Sequence, residues 1–440
     1  MSACNWTLEE QRDAVARREI TPSELIAEHR ERARRLQPQL RAFVRMVDEE
    51  DFCRGPLAGV PLTVKDSFDM EGLPTLTGSV YRNGHRASSD STAVRRLRRA
   101  GAVIIGKTNC PEFLANYETD NHITGWTANP WNLKRTAGGS SGGEAAAIAS
   151  GCSAGGVGSD GGGSIRVPAH CCGIVGLKPT PGRVSAAGHH PEIAHPGGLL
   201  GVAGPMARTV RDVEILFQVL AGYDTQDPFS APVELREPDV RPMRIGFVEQ
   251  SCDPAIGDAV ARAGIELEHM GHGIERFEVP GIDRAVDVWD FFFNTLPDAL
   301  KRQVIDTAPE KAHWTGLELL KEDRPRPSGI DVLTQLAVRD KMRAAVLRAM
   351  ADVPVLISAP CAIPAWAFRE RSAPFLETMR ASFVWNLFGF PALVLPFGFT
   401  PEGLPVGVQL IGRPWEEETL LSVGRQLEEA RGPFPLPPER

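Results

Sequence analysis

The chain has 440 residues, of which 42% are hydrophobic, and it carries 48 basic against 56 acidic side chains for a formal net charge of −8. That balance supports a large core and, without a long run of one sign, argues against a nucleic-acid-binding surface. No apolar stretch reaches the roughly 18 residues of a membrane-spanning helix, and the eight scattered cysteines lack the spacing of a zinc site or a small disulfide framework. The N-terminal segment MSACNWTLEEQRDAVARRE is charged and amphipathic rather than an apolar leader. Reduced thiols and a cytoplasmic location are the expectation, with no metal or organic cofactor.

Two helix starts open the chain. Thr7 with Glu10 and Thr21 with Glu24 read as capping boxes, the second followed by Pro22 at the first helical position, so the first forty residues are predicted to form a helical hairpin. GPLAGVPLTVKD, residues 55–66, reads as a turn and then an apolar strand with Lys65 near its end. Residues 90–100 predict a helix stopped by Gly101; its arginines, Arg95, Arg96, Arg98 and Arg99, read as a solvated face near the helix terminus. AVIIGKT follows as a buried strand, and the alternation of strand and helix predicts an α/β layered fold.

From Gly138 to Gly163 glycine and small residues dominate. The stretch reads as a site rather than a linker, because it embeds the strong helix former Glu144-Ala-Ala-Ala-Ile-Ala, with Ser141 as the expected N-cap and Glu144 three residues on. Residues 223–345 are more polar and read as a peripheral helical layer that includes Trp289 and Phe291 to Phe293, whereas apolar strands return past Val353. The expected organisation is therefore one domain over 1–440, with a core at 55–215, a helical layer at 223–345 and a C-terminal part, 353–440, that rejoins the sheet.

Three pieces carry chemistry: Lys65 on its strand, the loop from Gly138 to Gly143 around Ser140 and Ser141, and the loop Asp160-Gly161-Gly162-Gly163-Ser164-Ile165-Arg166. Three consecutive glycines before Ser164 let backbone N–H groups of Gly161, Gly162, Gly163 and Ser164 crowd a developing oxyanion, which makes Ser164 the candidate nucleophile. Gly138-x-Ser140-x-Gly142 also matches a hydrolase nucleophile elbow, but residues 132–136 make a poor preceding strand, although His170, His189, His190 and His195 follow. Cys171 and Cys172 offer a nitrilase-like cysteine nucleophile, against which adjacent cysteines are more often small core residues.

Taken together, these segments resemble the amidase signature family. The match runs from Gly138 to Ala169, ends in Gly-Gly-Ser-Ile-Arg-x-Pro, and extends to Gly59–Asp66, Gly106–Glu112, Gly176-Leu-Lys-Pro-Thr, Gly204-Pro-Met and Gly403-Leu-Pro-Val-Gly-Val-Gln. The resemblance implies a single α/β/α domain on a central mixed, twisted sheet. It also implies a catalytic triad of Lys65, Ser140 behind a cis peptide, and nucleophilic Ser164. Gly161 departs from the Thr or Ile that members often carry. A free lysine titrates near 10.4, so a neutral amine at pH 7 costs about 4.6 kcal/mol, which burial beside apolar residues can supply. Neutral Lys65 would then relay a proton from Ser164 through Ser140 and deliver it to the leaving amine.

Asp160 and Arg166 are expected to pair or to bond loop backbone, and Asn116, Tyr117 and residues within 290–370 are expected to line the pocket. The predicted activity is hydrolysis of a small-molecule carboxamide; homodimerisation stays open. The rival within the resemblance is the glutamine-hydrolysing A subunit of a tRNA-dependent amidotransferase, and a scaffold with a dead site is argued against by the complete triad.

Overall fold

The central strands of this chain are built from short runs that are mostly apolar or small on both faces, the pattern of strands covered by helices on each side. In the computed structural model, which describes residues 2–49, 51–193, 200–239, 241–318, 320, 326–370 and 375–438, eleven strands join one sheet. They are β1 (Phe43–Met46), β2 (Pro61–Lys65), β3 (Val103–Thr108), β4 (Gly155–Asp160), β5 (Val175–Lys178), β6 (Val202–Ala207), β7 (Arg244–Phe247), β8 (Gly273–Arg276), β9 (Val355–Ser358), β10 (Ala392–Phe399) and β11 (Pro405–Gly412). The spatial order is β1-β3-β2-β4-β6-β5-β10-β11-β9-β7-β8. β3, β2 and β4 run parallel at one end and β9, β7 and β8 at the other, while the pairings between them are antiparallel. This is the mixed sheet expected.

Helices cover both faces. Helices Val210–Leu220, Pro254–His269 and Glu417–Arg431 pack on the sheet and on one another over a core that includes Leu216, Leu267, Leu393 and Leu427. Helices Gly142–Ala149 and Arg166–Cys172 pack together against the sheet's other face. Among the described residues no helix is long and apolar enough to cross a membrane. Both N-terminal capping boxes form, Thr7 with Glu10 and Thr21 with Glu24, and start helices Leu8–Ala16 and Pro22–Leu40.

Two expectations are corrected here. Residues 223–345 are not only helical: they supply β7 and β8, which extend the sheet's edge. Ser141 stands at the N-cap position of helix Gly142–Ala149 but its side chain makes no capping hydrogen bond. It turns instead to Ser159, its Oγ lying 3.3 Å from the carbonyl and 3.4 Å from the amide nitrogen. Glu144 does not reach back to the cap either, because Thr63 and Thr108 on neighbouring strands donate to its carboxylate at 2.5 and 2.6 Å. Partners inside a buried layer, backbone for Ser141 and hydroxyls for Glu144, outcompete the helix terminus, since unsatisfied buried polar groups are costly.

Candidate active site

The site lies at the carboxyl ends of β2, β3 and β4, where open α/β sheets commonly bind ligands. β2 ends at Lys65 and β4 at Asp160. β4 is half glycine, a composition that disfavours strands, and the reason is steric. A Cβ on Gly156 would lie 2.0 Å from Glu144 Oε1, and one on Gly158 would lie 2.8 Å from Ser141 Oγ. The missing side chains let the helix that follows Ser141 sit directly on the strand.

Lys65 is fully buried, and its Nζ lies 2.6 Å from Ser140 Oγ and 3.1 Å from Ser159 Oγ. Burial pulls its pKa down to about 8, an effect that Cys110, Asp160 and Glu144 partly offset. Glu144 moves the opposite way, pushed up to about 7 by burial against the opposing hydrogen bonds from Thr108 and Thr63. The peptide between Gly139 and Ser140 is cis. Ser164 is 8% exposed and opens on the cleft. The Lys65–Ser140 contact is thus in place, whereas Ser140 and Ser164 border the same cleft without a hydrogen bond between them. Such contacts commonly tighten only when substrate is bound.

The loop between Asp160 and Arg166 is clamped from below. Asp160 accepts from the Gly163 amide at 2.7 Å and the Ile165 amide at 3.1 Å, and Arg166 Nε and Nη2 each lie 3.0 Å from its carboxylate. Burial alone would raise the Asp160 pKa, but the Arg166 charge and these hydrogen bonds outweigh it and hold the carboxyl well below its usual range. Arg166 spends its remaining donors on the Ser382 carbonyl, Gln409 and Asn386, so this fully buried cation is satisfied. One expectation changes as a result: the Gly163 N–H is committed to Asp160, which leaves the N–H groups of Gly161, Gly162 and Ser164 as the candidate oxyanion donors.

A cleft with about 710 Å³ of empty space, open solvent at its mouth included, runs past Ser140, Ser159, Gly161 and Ser164, with Phe113, Phe292, Phe293 and Pro297 on its walls and Glu192 and Lys301 among its polar residues. On the other side of Ser164 a smaller apolar recess is lined by Leu114, Tyr117, Trp289, Phe293 and Phe375. Asn116 and Tyr117 border that recess, and their polar atoms are engaged: Asn116 Nδ2 donates to Glu318 at 2.7 Å, and the Tyr117 hydroxyl donates to the Gly162 carbonyl at 2.6 Å. Phe291–Thr295 forms a π-helical turn, a feature frequent at functional sites. Through this turn Phe293 reaches Gly161, where an added Cβ would lie 3.0 Å from its ring.

Sequence reasoning missed Ser159, Glu144, Trp289 and Phe293. Ser159 could have been suspected beside Asp160 in the signature stretch; the aromatic pair carries no local signal. The competing nucleophiles lose support, since no strand precedes Ser140. His170 is buried between the Gly407 amide and the Ile363 carbonyl, His195 lies outside the described residues, and Cys171 and Cys172 are buried with their thiol pKa values raised. Among the described residues, Asp69, His85 and His190 bring one ligand atom each within 4.8 Å of one another and could hold a metal ion, apart from the three residues of the serine site.

A mixed α/β sheet here presents a buried lysine and two serines beside a glycine loop. The amidase family profile matches residues 24–421, and the chain belongs to the amidase signature family, whose members are hydrolases acting on amide C–N bonds. It is 31% identical to the indoleacetamide hydrolase of Bradyrhizobium diazoefficiens, over 97% of this chain and 87% of that protein. It is 36% identical to the A subunit of the glutamyl-tRNA(Gln) amidotransferase of a Roseiflexus species, over 95% of each. Among solved structures it resembles 6-aminohexanoate cyclic dimer hydrolase, with a TM-score of 0.89, 26% identity and 98% of each chain covered.

Proposed function

We propose that the chain hydrolyses a carboxamide through an acyl-enzyme on Ser164, with Ser140 and uncharged Lys65 as the proton relay. The observation that carries this reading is Lys65 Nζ, fully buried with a pKa pulled to about 8 and 2.6 Å from Ser140 Oγ. In the neutral form its lone pair accepts the Ser140 proton while Ser140 takes the proton of Ser164. Ser164 Oγ then bonds the carbonyl carbon, and the negative oxygen meets the free N–H groups of the glycine loop. The proton returns through Ser140 to the amide nitrogen, which leaves as ammonia or an amine. Water then attacks the acyl carbon, and Ser164 regains its proton as the carboxylic acid departs.

The recess beside Ser164 is walled by Leu114, Tyr117, Trp289, Phe293 and Phe375, which favours an apolar, flat acyl group, in keeping with the name of the indoleacetamide-hydrolysing relative. The amidotransferase relative supports the second reading, glutamine as substrate, on overall similarity alone. Incubating the purified chain with phenylacetamide, an aliphatic amide and glutamine while measuring ammonia separates the two. Ser164→Ala should abolish release and labelling by a fluorophosphonate probe; labelling equal to the parent's would refute Ser164 as the nucleophile.

A further inference from the structure

A loop of three glycines has no side chains with which to hold its own shape, and each peptide plane in it can rotate at little steric cost. In this molecule the planes are held from outside. Trp289 Nε1 donates to the Gly161 carbonyl at 3.1 Å, and the Tyr117 hydroxyl donates to the Gly162 carbonyl at 2.6 Å. Because the peptide is planar and trans, fixing a carbonyl fixes the N–H on the other side of the same bond. Trp289 therefore sets the direction of the Gly162 N–H, one of the free donors, and Tyr117 sets that of the Gly163 N–H, which Asp160 holds from the opposite side at 2.7 Å.

The fit around these contacts is close. A Cβ on Gly162 would stand 2.6 Å from Trp289 Cζ2 and 3.0 Å from the Tyr117 hydroxyl, so only glycine admits both donors. Neither ring is free to swing away. Trp289, 1% exposed, is stacked between Phe293 and Phe383 with centroids 4.5 and 4.7 Å apart, and Tyr117 meets Phe375 edge-on at 5.6 Å. Burial pushes the Tyr117 phenol upward, so it stays a proton donor across the working range of pH.

From this geometry we infer that Trp289 and Tyr117 are positioning residues for catalysis: their polar tips orient the oxyanion loop while their rings wall the acyl recess. The inference rests on Ser164 being the nucleophile. Neither residue touches the reacting atoms, so the effect passes through the loop.

The test uses Tyr117→Phe and Trp289→Phe, which keep a ring and remove the donor. Two rates are read for each: fluorophosphonate labelling of Ser164, and phenylacetamide hydrolysis resolved into kcat and KM. Both rates should fall about tenfold or more for Trp289→Phe, as loss of an oriented oxyanion contact does, and by a smaller factor, still above about twofold, for Tyr117→Phe, which loosens the neighbouring plane that Asp160 also holds, with KM within about twofold of the parent because the apolar walls remain. Near-UV circular dichroism and thermal unfolding report the folded fraction. Should Trp289→Phe fail to fold, Tyr117→Phe, which deletes a single oxygen, decides the matter. Labelling rates and kcat equal to the parent's, a rise in KM with kcat unchanged, or a rate loss that merely follows lost folded protein would each overturn the inference. If the parent itself is not labelled, or Ser164→Ala is labelled equally, the nucleophile assignment falls first and carries this inference with it.

Discussion

The two sides of the cleft are held by different forces. On one side Lys65, Ser140, Ser159, Glu144, Asp160 and Arg166 form a buried polar layer in which nearly every oxygen and nitrogen has a partner, drawn mostly from β2, β3, β4 and the two loops. On the other, Trp289, Phe293, Phe375 and Phe383 pack by stacking and shape, and come from segments more than a hundred residues further along the chain. The polar side fixes what reaction can be done, since proton transfer needs particular groups at hydrogen-bond distance. In the proposed reaction the aromatic side would select the acyl group, and apolar walls tolerate variation that a hydrogen-bonded layer does not. The two meet at Gly161 and Gly162, where aromatic residues hold the carbonyls of a polar loop.

The contrast can be broken hardest at Lys65. Replacing it with alanine should lower amide hydrolysis by about a thousandfold, within the range general acid–base groups supply. Cleavage of an activated ester of the same acyl group should suffer much less, because its leaving group departs unprotonated while the glycine loop still stabilises the oxyanion. Kinetics on a matched amide and ester check this, and equal losses would show that Lys65 serves only to deprotonate Ser164.

Arg166→Met should strip Asp160 of its buried counter-ion and cost about 3–5 kcal/mol in stability, measured by urea unfolding. An equivalent substitution at exposed Arg241, paired with Asp239 at the surface, should leave the unfolding midpoint nearly unchanged. Smaller still is the pH effect. The proposed relay uses Lys65 uncharged, so kcat/KM should rise as pH rises through about 8 and level off above it. In Glu144→Gln the carboxylate that favours the ammonium form is gone, so the Lys65 pKa falls and the rising limb moves to lower pH. A limb that stayed in place would mean that another group controls it.

Much of the polar side was legible in the amino-acid sequence. Glycines flanking serines, an apolar strand ending in lysine, and Asp160 and Arg166 bracketing one loop are local patterns whose chemistry depends on residues close together in sequence. The capping boxes at Thr7 and Thr21 were readable for the same reason. Where the local pattern misled, a tertiary partner had intervened. Ser141 and Glu144 looked like a helix cap but turned to Ser159, Thr63 and Thr108, and β4 was hidden by glycines whose purpose is to seat a helix against it.

By itself, then, the sequence determined the layered α/β class, the amidase family and the candidate lysine and serines, because each is written in contiguous residues with a defined period or spacing. Only the tertiary structure decided that Lys65 sits beside Ser159 as well as Ser140, that Gly163 spends its N–H on Asp160, and that Trp289, Phe293 and Tyr117 close over the glycine loop. Those arrangements arise when distant segments compete to bury rings and satisfy polar groups in one shared space. A chain position records neither the competitor nor the distance, so the outcome is settled only by packing.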